Sequence, residues 1–125
     1  MSGGQSVEKA NNKISFNYRA DTVRIYKDTI KALGNPKYVR FMINPEYKRL
    51  YIQGSDTRDK NTLPVPEKGD RYCFVLHGRY FIRKISALAG WSLDNSYVVN
   101  GMFLDGFNLV QYNLTDAMPM NEGAN

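Results

Sequence analysis

Basic side chains cluster in two segments of the chain, one in each half. The seven of interest are Arg19, Arg24, Lys27, Lys31, Arg79, Arg83 and Lys84. Cationic groups arranged in this way can neutralise phosphates and release their counterions, so the chemistry that they offer is non-covalent binding of a polyanion. Such contacts give affinity without sequence choice. Base readout needs Arg or Asn in a groove, and the candidates are Arg19, Arg24, Arg79 and Asn17. The alternative is that all seven are ordinary solvated charges.

The distribution of charge along the chain bears on the same question. The 125 residues carry 17 Lys and Arg against 12 Asp and Glu, a formal net charge of +5. Residues 1–62 hold twelve bases and six acids, whereas residues 85–125 hold no base and four acids. We therefore expect one side of the molecule to be basic and another to be acidic, which makes a polyanionic partner plausible.

Tyrosines are interleaved with these bases and offer a second mode of binding. Five of them lie in the first half: Tyr18, Tyr26, Tyr38, Tyr47 and Tyr51. Exposed rings can stack on unpaired bases, as they do in proteins that bind single strands. Tyrosine is also a favoured strand residue that pairs across a sheet, and packing is the role that we expect for this group.

Catalysis and metal binding find little support in the sequence. Cys73 and His77 are the only cysteine and histidine, so neither a disulfide nor a Cys/His zinc cluster can form within the chain. On one predicted strand they lie about 13 Å apart, beyond thiol–imidazole contact. Asp56, Asp59 and Asp70 could hold a hard cation, although a solvated loop explains them more simply. We predict a protein without enzymatic activity, cofactor or metal, in a reducing cytosol.

The length of the chain fits one folded domain between two loose tails. The sequence predicts a disordered arm over residues 1–12, a linker over residues 55–70 and a flexible tail over residues 117–125. The arm lacks the apolar run of a signal peptide or a membrane span. Two units remain, over residues 13–54 and 71–116.

The two units share a helical pattern at a constant offset. The matched pairs are Tyr26 with Phe81, Ile30 with Ile85 and Leu33 with Leu88. In each unit these three positions fall on one face of an α-helix. Gly34 or Gly90 follows, and glycine suits the left-handed residue that ends a helix.

Extended pairs flank each predicted helix, so that each unit reads β-β-α-β-β. The strands predicted for the first unit are Ile14–Tyr18, Thr22–Tyr26, Tyr38–Ile43 and Arg49–Gln53. Those predicted for the second are Arg71–Leu76, Arg79–Phe81, Tyr97–Leu104 and Phe107–Leu114. Asn44-Pro45 and Asp105-Gly106 supply the hairpin turns. A unit of this size buries too little surface to stand alone, so we expect the two to pair as pseudo-twofold partners in one α+β domain.

The units resemble the swapped-hairpin unit of AbrB-like and MraZ-like bacterial transcription regulators. The resemblance rests on residues 22–52, TVRIYKDTIKALGNPKYVRFMINPEYKRLYI, and less clearly on residues 78–114. The chain departs from the family pattern at Asp21, where the family has glycine, and at Tyr26, where it has proline. The resemblance implies an interleaved β-barrel-like domain with two short helices, which grips DNA through basic residues on its first strands and loops.

Together these observations predict a cytoplasmic, non-catalytic, DNA-binding transcriptional regulator. Its basic face would be built from both units and would contact double-stranded DNA, and the protein would be a monomeric pseudo-dimer or a homodimer. The rival hypothesis is a phage or mobile-element inhibitor that binds a host protein or sequesters a small ligand such as a nucleotide. Salt-dependent binding of duplex DNA separates the two hypotheses.

Overall fold

Two antiparallel sheets and two α-helices make up the part of the chain that the computed structural model describes, residues 12–66, 73–92 and 95–120. The protein is therefore of the mixed α+β class, as the sequence predicts. Each sheet has five strands, and both sheets draw strands from both halves of the chain.

The first sheet, sheet A, combines strands from near both ends of the chain with one from its middle. Its strands are β1 (Ile14–Asn17), β2 (Thr22–Tyr26), β6 (Cys73–His77), β7 (Ser96–Val99) and β10 (Met118–Met120). Their order across the sheet is β10-β7-β1-β2-β6, and every neighbouring pair is antiparallel. In β2 the side chains alternate, with Val23 and Ile25 buried and Arg24 exposed.

The second sheet, sheet B, is built around the hairpin that the sequence predicts in the first unit. Its strands are β3 (Tyr38–Asn44), β4 (Arg49–Ser55), β5 (Thr62–Pro64), β8 (Gly101–Leu104) and β9 (Leu109–Asn113). The order is β5-β3-β4-β9-β8, again with antiparallel pairing throughout. Leu50 and Ile52 of β4 are buried opposite Tyr112 and Val110 of β9, so these four residues define the inner face.

The first helix, α1 (Lys27–Ala32), follows β2 directly. It buries Thr29 and Ile30, and Leu33 at its end is buried as well. Gly34 then takes a left-handed conformation with φ 85°, which stops the helix. The helix and its terminating glycine are confirmed. Ile30 and Leu33 of the predicted helical face are buried, but placing Tyr26 on that face is wrong, because Tyr26 is the half-buried last residue of β2.

The second helix, α2 (Arg79–Ala89), follows β6 and stops at Gly90, whose φ is 75°. The prediction that Arg79–Phe81 forms a strand is wrong, because these residues are the first turn of α2. Basic and aromatic residues suit either conformation, and the helical period only becomes decisive with the buried Ile82 and Ile85 further along. The predicted offset, which pairs Tyr26 with Phe81, therefore aligns the end of a strand with the interior of a helix.

Aromatic side chains connect α2 to both sheets. The ring of Phe81 lies 5.2 Å from that of Phe41 in β3 and 6.4 Å from that of Phe16 in β1. Trp91, just beyond α2, stacks on Tyr97 of β7 at 4.6 Å and lies 5.3 Å from Phe16. Trp91 thus fastens the end of this helix to β7, and one hydrophobic core joins both sheets.

The predicted strand Tyr97–Leu104 is two strands, because the chain passes from sheet A to sheet B at Asn100. β7 and β8 lie on either side of this residue and pair with different neighbours. Gly101 permits the crossing, since a Cβ placed on it would lie 2.6 Å from the backbone oxygen of Asn12. The hairpin between β8 and β9 is confirmed, with a 3-10 turn at Asp105–Phe107.

Three predicted irregular segments are partly ordered by backbone pairing. Asn12, assigned to the disordered arm, is buried and accepts a hydrogen bond from the Gly101 N–H at 3.1 Å. Within the predicted linker, β5 pairs with β3, and within the predicted tail, β10 pairs with β7. Polar composition does not prevent such edge pairing, because it uses backbone groups. The predictions for residues 1–11, 67–72 and 121–125 lie outside the described residues.

The expected closed barrel is not seen in the described residues. Sheet A ends at β10 and β6, and sheet B ends at β5 and β8, each paired on one side only. The architecture is thus two open sheets over a shared core rather than a β-barrel.

Candidate nucleic-acid interface

The turn between β1 and β2 is shaped by its own polar residues. The Asn17 side-chain oxygen accepts a hydrogen bond from the Ala20 N–H at 3.0 Å, and the Tyr18 carbonyl accepts one from the Asp21 N–H at 3.3 Å. Asp21 adopts the left-handed conformation with φ 54°, which Asp tolerates better than most residues and which glycine adopts freely. This is the position at which the resembled family has glycine.

The same turn packs against the beginning of α2. The Gly78 N–H donates to the Asp21 carbonyl oxygen at 2.9 Å, and Nε of Arg79 lies 3.0 Å from Oδ2 of Asp21. One helical turn later, the guanidinium of Arg83 lies over the ring of Tyr18, 5.8 Å from its centroid. These contacts join segments that are nearly sixty residues apart in sequence.

Four of the seven predicted basic residues are thereby brought into one region, which we call the turn–helix cluster: Arg19, Arg79, Arg83 and Lys84. Arg19 is exposed in the turn, and the other three are exposed on α2. The Arg79 side chain keeps 67% of its exposure despite its ion pair. The cluster therefore presents cationic groups to solvent on a surface that two fixed elements hold in place.

The other three predicted residues do not join this cluster. Arg24 is exposed in the middle of β2, between Ser15 of β1 and Val75 of β6 on the outer face of sheet A. Lys27 and Lys31 are exposed on α1, which begins at the end of β2 away from the turn. Four strand intervals separate the two ends of β2, about 13 Å. The predicted basic residues thus follow β2 from one end to the other instead of meeting at a single point.

Tyr80 is a surface residue that the sequence reasoning missed. It is 80% exposed on α2, three and four residues before Arg83 and Lys84, and so lies on the same side of the helix as both. The helical period would have identified it, but only if α2 had been predicted to begin at Arg79.

Of the five predicted tyrosines one is exposed and four are half-buried. Tyr18 faces Arg83, as described above. Tyr47 is exposed and lies beneath the guanidinium of Arg49, 5.6 Å from it. Tyr26, Tyr38 and Tyr51 are half-buried. The expected cross-strand position is confirmed for Tyr51, which pairs with Met42 of β3 and with Gln111 of β9.

The residues considered for catalysis or metal binding are arranged as follows. β6 begins at Cys73 and ends at His77, so the two are at opposite ends of one strand. The Asp59 carboxylate accepts a hydrogen bond from the Asn61 N–H at 2.7 Å and pairs with Arg40 at 2.6 Å. The hydrogen bond from the Asn61 N–H is the main cause that lowers the pKa of Asp59, and the neighbouring Arg40 lowers it further. Asp70 lies outside the described residues, and within those residues no three His, Cys, Asp or Glu side chains are grouped to hold a metal ion.

Neither helix in the described part of the chain has the length and apolar character needed to cross a lipid bilayer.

Comparison with known proteins gives no relative for this arrangement: no family model, curated protein or solved structure matches the chain.

Proposed function

We propose that this protein is a cytoplasmic, non-catalytic, DNA-binding transcriptional regulator that contacts the phosphates of duplex DNA through the turn–helix cluster. The observation that carries the proposal is the docking of the β1–β2 turn on α2 by way of Asp21 and Arg79. It fixes cations from two distant segments on one exposed surface. Pre-positioned cations lose little side-chain freedom on binding, which favours association with a polyanion.

The dimensions of the basic surface suit a duplex. α2 has eleven residues and is about 16 Å long. Arg24 lies on the outer face of β2, and Lys27 and Lys31 lie on α1, which begins at the end of β2 about 13 Å from the turn. Duplex DNA carries one charge per roughly 1.7 Å of axis, so a track of this length passes several phosphates. In this proposal the turn–helix cluster supplies the main phosphate contacts, and Arg24, Lys27 and Lys31 add further ones.

The pseudo-twofold, swapped-hairpin relation between the units is part of the proposal. Two features support it. β2 and β6 are antiparallel neighbours, with Thr22 opposite His77 and Tyr26 opposite Cys73, and each leads into a helix. In addition, both sheets contain strands of both halves, and in sheet A the pair β1–β2 lies between β7 and β6 of the second half. A local twofold axis between β2 and β6 would relate the two strand–helix segments and place α1 and α2 at opposite ends of the pair.

The salt dependence of duplex binding tests the function. Fluorescence anisotropy with a labelled duplex of mixed sequence, between about 50 and 200 mM salt, gives the log–log slope. Each true phosphate contact contributes nearly one unit of slope. Arg83→Ala and Lys84→Ala should each flatten the slope by about that amount, and Arg24→Ala and Lys31→Ala by less. Lys60→Ala is the matched control, because Lys60 is an exposed base in the loop between β4 and β5.

Two results would contradict the proposal. One is the absence of duplex binding at about 50 mM salt. The other is an equal loss in all variants, including Lys60→Ala, because it would mean that net charge alone governs binding.

A further inference from the structure

The outer face of sheet B is a second surface with its own chemistry, remote from the turn–helix cluster. Since Leu50, Ile52 and Val110 point inward, the alternate residues of each strand point outward. The strand register places them in rows across the sheet. One row is Thr62, Arg40, Gln53, Leu109 and Leu104, and the next is Met42, Tyr51, Gln111 and Met102.

Apolar and aromatic side chains on this face belong to no core. Six of them are absent from the hydrophobic core and from the residues that pack against it: Tyr38, Met42, Tyr51, Met102, Leu104 and Leu109. The two helices pack beside β2 of sheet A. Met102 is 61% exposed, and Phe107, in the loop at the end of β8, is 70% exposed. The other five of the six are half-buried, so each keeps part of its surface outside the core. Apolar surface that is left outside the core in this way indicates a binding partner.

The charged and polar residues of the face identify the chemistry of that partner. Its strands contribute two arginines, Arg40 and Arg49, and no acid. The Arg40 guanidinium is held by Asp59 from the neighbouring loop and by the Gln53 side chain at 3.2 Å. Arg49 lies over the Tyr47 ring, and its Nε is buried without a hydrogen-bond partner. The strand neighbours of Arg49 are Asn44 and Asn113, which carry no charge, so nothing on these strands neutralises its guanidinium.

Rings and guanidinium groups alternate along the β3–β4 hairpin. Tyr47, Arg49 and Tyr51 follow one another at two-residue intervals, with Arg40 beyond them, and Tyr38 lies opposite Ser55 at the far end. The six strand intervals from Arg49 to Ser55 cover about 20 Å. Such a face can stack its rings on unpaired bases while arginine and amide groups hydrogen-bond to phosphates and base edges.

We propose that the outer face of sheet B binds single-stranded nucleic acid, with Tyr51 and Tyr38 stacking on bases and Arg49 contacting the backbone. The site goes beyond the duplex-binding function proposed above and uses none of its residues. A protein with both sites would hold a duplex at one surface and an unpaired strand at the other.

The test compares the affinity of the full-length protein for two single strands. One is oligothymidine of about a dozen nucleotides, and the other is an abasic oligonucleotide of equal length and charge. Stacking on one base contributes about 1–3 kcal/mol, so with two stacking rings oligothymidine should bind at least roughly thirtyfold more tightly than the abasic strand. Tyr51→Ala should lose most of this preference, whereas Tyr51→Phe, which keeps the ring, should retain it. Tyr26→Ala is the matched control, because Tyr26 is a half-buried tyrosine on the outer face of sheet A.

Three outcomes would overturn the proposal. The first is equal affinity of the wild-type protein for the two strands. The second is an unchanged preference in Tyr51→Ala. The third is a dimer in native mass spectrometry that Met102→Lys dissociates, since the face would then bind a second copy of the chain. Duplex binding is measured separately with Arg83→Ala, so failure of either site is distinguishable from failure of the other.

Discussion

Nε of Arg79 lies 3.0 Å from Oδ2 of Asp21, and this ion pair joins the first turn of α2 to the turn between β1 and β2. Asp21 has two roles in the contact. Its backbone occupies the left-handed region, and its carboxylate lies among the cations of the turn–helix cluster. The carboxylate therefore holds Arg79 in position but competes with a phosphate for it.

Asp21→Asn separates these two roles, because asparagine also tolerates the left-handed conformation. Removing the carboxylate frees Arg79 for phosphate, and an exposed ion pair of this kind costs less than about 1 kcal/mol to break. We expect duplex DNA to bind about two- to fivefold more tightly. Asp56→Asn is the control, since it makes the same change of charge at an exposed loop residue. The same gain in both variants would show that Arg79 does not meet the DNA. Weaker binding by Asp21→Asn would show that the carboxylate aids duplex binding by holding Arg79 in position and does not compete with the phosphate.

The crossing from sheet A to sheet B predicts a strong effect at Gly101. A Cβ there would lie 2.6 Å from the Asn12 oxygen and from side-chain atoms of Tyr112 and Val110. Because one of these atoms is backbone and the other two are in the core, relief requires the strands to move. Gly101→Ala should lower the free energy of unfolding by about 3 kcal/mol, measured by chemical denaturation. Gly106→Ala, with no atom within 4 Å of its added Cβ, should change it by less than about 0.5 kcal/mol.

The buried contact between Thr29 of α1 and Tyr112 of β9 predicts coupling between these elements. The two hydroxyl oxygens lie 3.4 Å apart. Removing one hydroxyl leaves the other buried without a partner, so Thr29→Val and Tyr112→Phe should each cost about 1–3 kcal/mol. The double variant should cost less than the sum, since it buries no unpaired group. Strictly additive free energies of unfolding would mean that the two hydroxyls do not interact.

Burial also makes stability depend on Tyr112 at high pH. Desolvation raises the pKa of this phenol well above its ordinary value of 10.0, against the smaller opposing effect of Thr29. In the unfolded chain the group ionises near pH 10, whereas in the folded chain it stays protonated. The stability that Tyr112 contributes is therefore complete below about pH 10 and is lost as pH rises above it. Tyr112→Phe should reduce the fall of the unfolding free energy above about pH 10. If the unfolding free energies of the two proteins depend on pH in the same way, Tyr112 is not the cause of the fall.

Local sequence signals accounted for most of the first unit. Strand β2, helix α1 with its glycine stop and the β3–β4 hairpin all agree with prediction, because alternation, helical period and turn residues act over a few neighbours. The second unit fits less well. Arg79–Phe81 suits strand and helix alike. Asn100-Gly101 is a break signal within the run Tyr97–Leu104, but a local signal does not show that the chain leaves one sheet for the other there.

For the candidate sites, too, the sequence predicts one part and the tertiary structure decides the other. The residue types, the excess of bases and the tyrosines among them could be read from the sequence, and they indicated a polyanionic partner. Which of them share a surface could not be read. Tertiary structure placed Arg79 on Asp21, set Lys27 and Lys31 at the other end of β2, and aligned Tyr51 with the outer rows of sheet B. These relationships depend on the pairing of strands from distant segments. The register of that pairing is set by backbone hydrogen bonds and by the shared core, and no local sequence pattern encodes the register.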